Sequence, residues 1–359
     1  MPSNRLEITG KVQTVLGVID ADDLGITLPH EHLLVDLSVY FTEPEEARFK
    51  RLAHEPVSFE NHSWIQHHTY NSLDNLRLLD EEEIIGELMP FKNEGGSTVV
   101  SLSNVGLARD PLGLVNISRA TGLNVVMGSG YYISQSQGPE YERKTKEEIA
   151  EEINADIEVG VDNTGIRAGI IGELGCTWPL KESERKVLLA GVIAQKRTGA
   201  TINVHQVSAG PNDAMEIIKI LDDAGADLSR VVIDHIDLTV LPLSYRLELA
   251  KTGCYLEYDI FGYPTFAPPS PFGGGSVIRN RPCDRERIEQ ITELIDAGYL
   301  NQILISQDIC MKHLMLRYGG HGFAHILCNI VPQMLVRGIT REQIHTMMVE
   351  NPKHVLSFA

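Results

Sequence analysis

Along the chain, short apolar runs rich in β-branched residues alternate with longer stretches in which apolar residues recur at helical spacing. The short runs are 26–33 (ITLPHEHL), 97–103 (STVVSLS), 124–130 (NVVMGSG), 168–174 (AGIIGEL), 200–206 (ATINVHQ), 231–236 (VVIDHI), 253–259 (GCYLEYD) and 302–308 (QILISQD). Apolar at consecutive positions, they predict strands covered on both faces, as in a parallel sheet. The helical stretches between them have legible ends. Asp80 with Glu83 opens one that stops before Gly95, and Thr145 with Glu148 reads as a capping box. The stretches 181–198 and 284–297 run to Gly199 and Gly298. Eight strands alternating with helices predict an α/β fold, most economically a (β/α)8 TIM barrel. A doubly wound open sheet is the rival, but no glycine-rich phosphate loop follows the first strand.

No composition break or low-complexity linker interrupts the alternation, so 1–359 reads as a single domain. The connections 34–79, 260–283 and 309–323 are too long for turns. They predict long βα loops at the C-terminal face, where barrel enzymes keep their sites.

Composition narrows the partners. With 43% hydrophobic and 22% charged residues the chain is ordinary globular material, and its net charge of −18 argues against nucleic acid and anionic membrane surfaces. No apolar leader core or membrane-length run is visible. Cys176, Cys254, Cys283, Cys310 and Cys328 are scattered and show no paired ligand spacing. The expectation is a cytoplasmic protein in a reducing compartment, acting on a small molecule, with homo-oligomerisation left open.

The polar residues at the strand ends add chemistry. His30 and His32 share one face of the first strand, and two imidazoles on a buried face cost desolvation unless something binds them. Glu173, His205, His235 and Asp308 end the fourth, fifth, sixth and eighth runs. Glu173, His205 and His235 are spaced by 32 and 30 residues, about one βα unit each, so adjacent strands present them at similar height. In a barrel they converge, with His30, His32 and Asp308 closing the ring. Four histidines and two carboxylates are too many for one tetrahedral ion and suit two divalent ions sharing a carboxylate. Glu173 lies between the two histidine sets and is the natural bridge. Zinc is the expected metal, with manganese, cobalt and iron compatible with the same donors. Singly, each residue has a bland alternative as a satisfied core imidazole or a buried ion-pair partner; together, in this order along the strands, they point to a metal centre.

Weaker candidates surround it. Tyr131 and Tyr132 end the third strand and line a pocket or pack under a loop. Glu257 and Asp259 share a face of the seventh strand, as contacts to ligands or substrate or as a buried hydrogen-bonded pair. In NHSWIQHH, Trp64 and Ile65 seat a loop while His62, His67 and His68 face water or substrate. His321 and His325 read as structural. FGGGS at 272–276 reads as a flexible lid rather than a phosphate cradle.

LPHEHL, the strand-four carboxylate, the two single histidines and the final QD resemble the phosphotriesterase branch of the amidohydrolase superfamily. GKVQTVLG at 10–17, GIIGELGCTWPLKESERKVL at 169–188, GCYLEYDIFG at 253–262, RYGGHGFAHIL at 317–327 and ENPKHVLSF at 350–358 are similar to its phosphotriesterase-related subgroup. The resemblance implies a (β/α)8 barrel with a binuclear centre in which His30, His32 and Asp308 hold one ion, His205 and His235 the other, and Glu173 bridges. Organophosphate-cleaving members bridge with a carbamylated lysine; glutamate stands here, which turns the expectation away from organophosphates. The subgroup implies hydrolysis of N-acyl amino compounds, N-acetyltaurine in particular. Glu173 and Asp308 are then the catalytic carboxylates, Asp308 both binding metal and passing a proton to the leaving amine. An anionic substrate tail needs a cation, and the loop arginines Arg279, Arg281 and Arg317 are candidates. An esterase, lactonase or phosphotriesterase on the same centre, and a binding protein that lost its chemistry, are the alternatives.

Overall fold

A computed structural model of the chain describes residues 8–206, 213–267 and 279–359, and in it consecutive strand residues sort into two packing clusters. The strands are β1 (Ile26–Glu31), β2 (Gly96–Ser101), β3 (Asn124–Ser129), β4 (Ile170–Cys176), β5 (Ile202–Gln206), β6 (Val231–Ile233), β7 (Tyr255–Tyr258) and β8 (Ile303–Ile305). They pair in parallel, in chain order, as one eight-stranded sheet. Val100, Val126, Ile170, Val232, Tyr255 and Leu304 pack together inside the barrel. Their chain neighbours Val99, Val125, Ile171, Val231, Leu256 and Ile303 pack outward. The pleat thus sends alternate residues to two buried faces, which is why the runs are apolar throughout.

The outer face is covered by α1 (Glu81–Asn93), α2 (Pro111–Thr121), α3 (Lys146–Glu158), α4 (Glu182–Thr198), α5 (Asp213–Asp223), α6 (Leu243–Lys251) and α7 (Asp284–Asp296). Each helix puts an aliphatic stripe into the outer cluster, through Leu88, Ile117, Ile153, Leu188, Ile218, Leu249 and Ile291 in turn. Their ends follow the local signals. Asp80 accepts from the N–H groups of Glu82 and Glu83, Thr145 and Glu148 form a capping box, and Gly199 closes α4 at φ 79°.

The seam between β8 and β1 is closed by a side chain. Ser306 Oγ donates to His30 O at 2.8 Å and accepts from His30 N–H at 3.1 Å, and Asp308 N–H donates to His30 O at 3.2 Å. The floor of the cylinder is apolar: Val12 of the hairpin Lys11–Thr14/Gly17–Asp20, with Val355 and Leu356 of the helix Asn351–Leu356, joins the inner cluster. Above that floor the interior turns polar. Two residues on from Val232, Tyr255 and Leu304 stand Asp234, Glu257 and Ser306, all buried, and two further on stand Asp259 and Asp308 on the β7 and β8 lines.

Two strands end three residues earlier than the hydrophobic pattern predicts. The sixth run ends at Ile233 rather than 236 and the eighth at Ile305 rather than 308. His235 and Asp308 adopt left-handed backbone, at φ 57° and 47°, which no strand accommodates. Both lie just beyond their strands. The 34–79 connection contains a helix, Phe59–His67, with a Ser58–Asn61 capping box. The proposed lid at 272–276 lies outside the described residues.

A buried ion pair locks α7 to the β6 end. Arg287 Nε donates to Asp237 Oδ2 at 2.6 Å and its second nitrogen to Asp284 Oδ1 at 2.9 Å, with Arg287 and Asp237 fully buried. Burial pushes Asp237 up to about 6 against the pull of Arg287. Arg287→Met leaves two carboxylates without their cation. It is expected to cost about 3–5 kcal/mol of stability, read as a lower urea midpoint at unchanged m-value.

Candidate metal centre

Six side chains, on or just beyond five of the strands, meet at the C-terminal mouth of the barrel. Glu173, the middle residue of β4, is 1% exposed, and its main-chain oxygen accepts from Asn104 Nδ2. Its Oε1 lies 3.2 Å from His32 Nε2; its Oε2 lies 2.9 Å from His205 Nδ1, 3.8 Å from His30 Nε2 and 3.9 Å from His235 Nε2. All four imidazoles therefore surround one carboxylate. Asp308 Oδ1 stands 3.4 Å from His32 Nε2 and 3.7 Å from His30 Nε2. His205 and Asp308, with side chains 12% and 13% exposed, are the most open of the six and mark the least covered side of the cluster.

Each imidazole is aimed by a partner on its other side. His32 Nδ1 lies 3.0 Å from Ser103 Oγ. His205 Nε2 lies 3.2 Å from the Tyr132 hydroxyl, itself 2.8 Å from that of Tyr40. Asp259 takes His235 with both oxygens, Oδ1 at 2.9 Å from the ring Nδ1 and Oδ2 accepting the main-chain N–H at 3.0 Å. One carboxylate thus fixes the tautomer and holds the left-handed backbone that points Nε2 at Glu173. Asp259→Asn is expected to weaken metal affinity about 10–100-fold, measured by titrating the apo-protein against a competing chelator. His30 is set deepest: its Nδ1 is 3.4 Å from Asp234 Oδ2, Glu257 Oε2 and Asp259 Oδ2 alike. Asn203 Nδ2 donates to Asp234 Oδ1 at 2.7 Å.

The donors fit divalent cations. His30 Nε2 is buried without a hydrogen-bond partner while facing Glu173 and Asp308, a costly arrangement unless a cation occupies that side. His235 Nε2 and His205 Nδ1 stand 2.8 Å apart, so two imidazole lone pairs need a proton or a metal between or beside them. Donor atoms of His30, His32 and Asp308 lie within 4.8 Å of one another, as do those of His30, Glu173, Asp234 and His235. Electrostatics agree. Burial raises Glu173, but His205 and His32 outweigh it and hold the carboxyl well below its usual range. Burial and the neighbouring His30 pull His235 down to about 3, which favours the neutral ring that a metal would need. Burial pushes Asp308 well above the ordinary carboxylate range, against the pull of His30; a bound cation reverses that balance.

The weaker candidates separate. Tyr132 reaches the centre, but Tyr131 turns the other way and bonds Glu152 and Lys144, because adjacent residues of extended chain point to opposite sides. Glu257 and Asp259 are fully buried behind His30 and His235, away from any substrate-facing surface. Arg317 lies on the outside, its side chain 64% exposed, with Nε 3.6 Å from Glu83. Arg279 pairs with Ala267 through its backbone, and its side chain lies outside the description. Arg281 is buried near Tyr263. His67 and His68 bond main-chain oxygens of the loop helix, Trp64 stacks on His68, and Ile65 is buried. His62 faces His313, with ring centroids 6.5 Å apart. His325 Nε2 pairs with Asp284 at 2.8 Å, and the His321 ring lies tilted against it with centroids 4.2 Å apart.

Sequence reading missed Asp234, Asn203, Tyr40 and Ser103. Period-two counting back from Asp259 through Glu257, extended to the neighbouring strands, finds Asp234 and Asn203 at the same level. Tyr40 comes from the long connection after β1 and carries no local signal.

Residues 10–356 match the model of the phosphotriesterase family. The chain is 41% identical to an N-acetyltaurine hydrolase of Dictyostelium discoideum, covering 98% of this chain and 99% of that one. It is 40% identical to a phosphotriesterase-related protein of Nematostella vectensis, at the same coverage. Among solved structures, a resiniferatoxin-binding protein from Rhodobacter sphaeroides superposes with a TM-score of 0.91 at 34% identity, over 97% of this chain and 95% of that one.

Proposed function

The chain belongs to the phosphotriesterase family, and from that premise we propose that it is a binuclear metal-dependent amidohydrolase cleaving small N-acyl amino compounds such as N-acetyltaurine. The observation that carries the reading is the ring of four imidazoles around Glu173 with Asp308 at its open edge. His30, His32 and Asp308 would hold one divalent ion and His205 and His235 the other, with Glu173 shared; zinc is the first to test. Such ions supply Lewis-acid polarisation of the acyl carbonyl and a nucleophilic water at neutral pH.

The chain's own groups do the rest. Glu173 contributes the negative charge around which the four imidazoles face inward. Asp259, Tyr132 and Ser103 hold three of those rings in orientation. Asp308 lies nearest the opening and takes the proton released by the attacking water, then gives it to the departing nitrogen. Glutamate rather than a carbamylated lysine as the shared group supports acyl transfer to water over organophosphate cleavage. The enzyme would act as one (β/α)8 unit in the cytoplasm; no helix among the described residues is long and apolar enough to cross a membrane.

Assays of the purified, metal-analysed chain on N-acetyltaurine, other N-acetyl amino acids, acetyl esters, lactones and phosphotriesters test this. Highest kcat/KM on an N-acyl amino compound is expected. Preference for a lactone or phosphotriester overturns the substrate class. Full metal content with no turnover of any of them favours the second reading, a ligand-binding protein, to which the similarity with a resiniferatoxin-binding protein gives weight.

A further inference from the structure

Buried arginines in this fold are paired. Arg109 meets Asp156 at 2.7 Å, Arg246 meets Glu293 at 2.6 Å, and Arg287 meets Asp237 at 2.6 Å. Arg281 departs from this pattern. It is 9% exposed, its Nε is buried without a hydrogen-bond partner, and no carboxylate among the described residues pairs with it. Its contacts are a main-chain bond from Arg281 N–H to Thr265 O at 2.8 Å and the face of Tyr263, 5.0 Å from the guanidinium carbon. The chain has 49 acidic residues, yet none of those described pairs with this buried cation. A buried guanidinium without a counter-ion among the described residues is costly, which points to a bound anion as its partner.

Its position says which anion. Arg281 lines a pocket of about 10 Å³ with Thr69, Met311, Tyr263 and His313. The pocket adjoins a cavity of about 260 Å³ that shares Tyr263, Pro264 and His313. Tyr263 is also the link to the metal centre, since its hydroxyl donates to the main-chain oxygen of Asp308 at 2.6 Å. His313, held by Asn75, is pulled by burial down to about 3 and stays neutral, which leaves Arg281 as the fixed positive charge of this pocket. A planar guanidinium fork one aromatic ring away from Asp308 matches a carboxylate or sulfonate by paired hydrogen bonds.

We propose that Arg281 receives the anionic end, carboxylate or sulfonate, of the N-acyl amino compound whose amide lies at the metal centre, and that it sets the selectivity for anionic over uncharged amides. This rests on the amidohydrolase reading above.

The test compares the metal-loaded wild type with Arg281→Gln and Arg281→Lys. Steady-state kinetics on N-acetyltaurine, N-acetyl-β-alanine and uncharged N-ethylacetamide give a selectivity ratio, and calorimetry gives the binding of ethanesulfonate and propionate alone. In Arg281→Gln the ratio of kcat/KM for anionic over uncharged substrate is expected to fall about 10–100-fold, as for loss of charge-assisted hydrogen bonds. The loss should lie in KM, with partial recovery in Arg281→Lys. The two acid probes show whether sulfonate or carboxylate is preferred. An equal loss on charged and uncharged amides, or an unchanged KM for both anionic substrates, overturns the assignment. If the wild type hydrolyses none of these amides, the amidohydrolase reading fails, and the binding data decide the arginine separately. Weaker binding of the acid probes in Arg281→Gln than in wild type supports an anion site, and equal or absent binding in both refutes it. Urea midpoints of the variants separate either result from misfolding.

Discussion

Replacing Glu173 with glutamine should empty the centre. Glutamine matches the volume of a side chain that is 1% exposed, so packing is preserved and only charge is lost. Four imidazoles lie within 4 Å of that carboxylate, and Asp308 alone would remain as the anionic donor among the six. Glu173→Gln is expected to retain less than half the wild-type metal by elemental analysis. Its kcat/KM should fall by at least about 10³-fold, since several kcal/mol of charge stabilisation disappear. Added metal ion in millimolar excess should not restore it. Wild-type metal content with wild-type turnover would refute the bridging role.

Asp308→Asn should separate binding from turnover. Asparagine is, with aspartate, among the few residues that tolerate left-handed backbone, so the φ of 47° at this position survives the change. The amide oxygen still faces His32 and His30, but it cannot take up a proton at neutral pH. Asp308→Asn is expected to keep its metal, to leave KM within about threefold, and to lose about 10²–10⁴-fold in kcat, the usual contribution of a positioned acid–base group. Single-turnover assays alongside metal analysis read all three. A variant with normal kcat and full metal removes Asp308 from proton transfer.

Much of this was legible because strands buried on both faces announce themselves by hydrophobicity. Any charged or imidazole side chain within them then stands out. His30, His32, Glu173, His205, His235 and Asp308 were visible on that ground, and the barrel brings them together. What the pattern could not show was the backbone at two of them. His235 and Asp308 lie past the strand ends in left-handed conformation, and hydrophobic periodicity carries no information about φ. Tyr131 and Tyr132 illustrate a second limit. They are neighbours with the same side chain, and only the direction of the chain after β3 decides that Tyr132 meets His205 while Tyr131 meets Glu152. Loop residues were the third limit. Tyr40 and Arg281 reach their positions through long connections whose course depends on tertiary packing, so sequence could name three arginines without ranking them.

The serine-stitched seam between the last and first strands has a further consequence. His30 is not mounted on a finished wall; the wall is finished at His30. A polypeptide that had assembled seven strands would have a gap where two of its histidines must face Asp308, and therefore no place to load cargo. Once the cylinder is zipped, an ion held by His30, His32 and Asp308 would tie the first and last staves together, so that occupancy and circumferential integrity would reinforce each other.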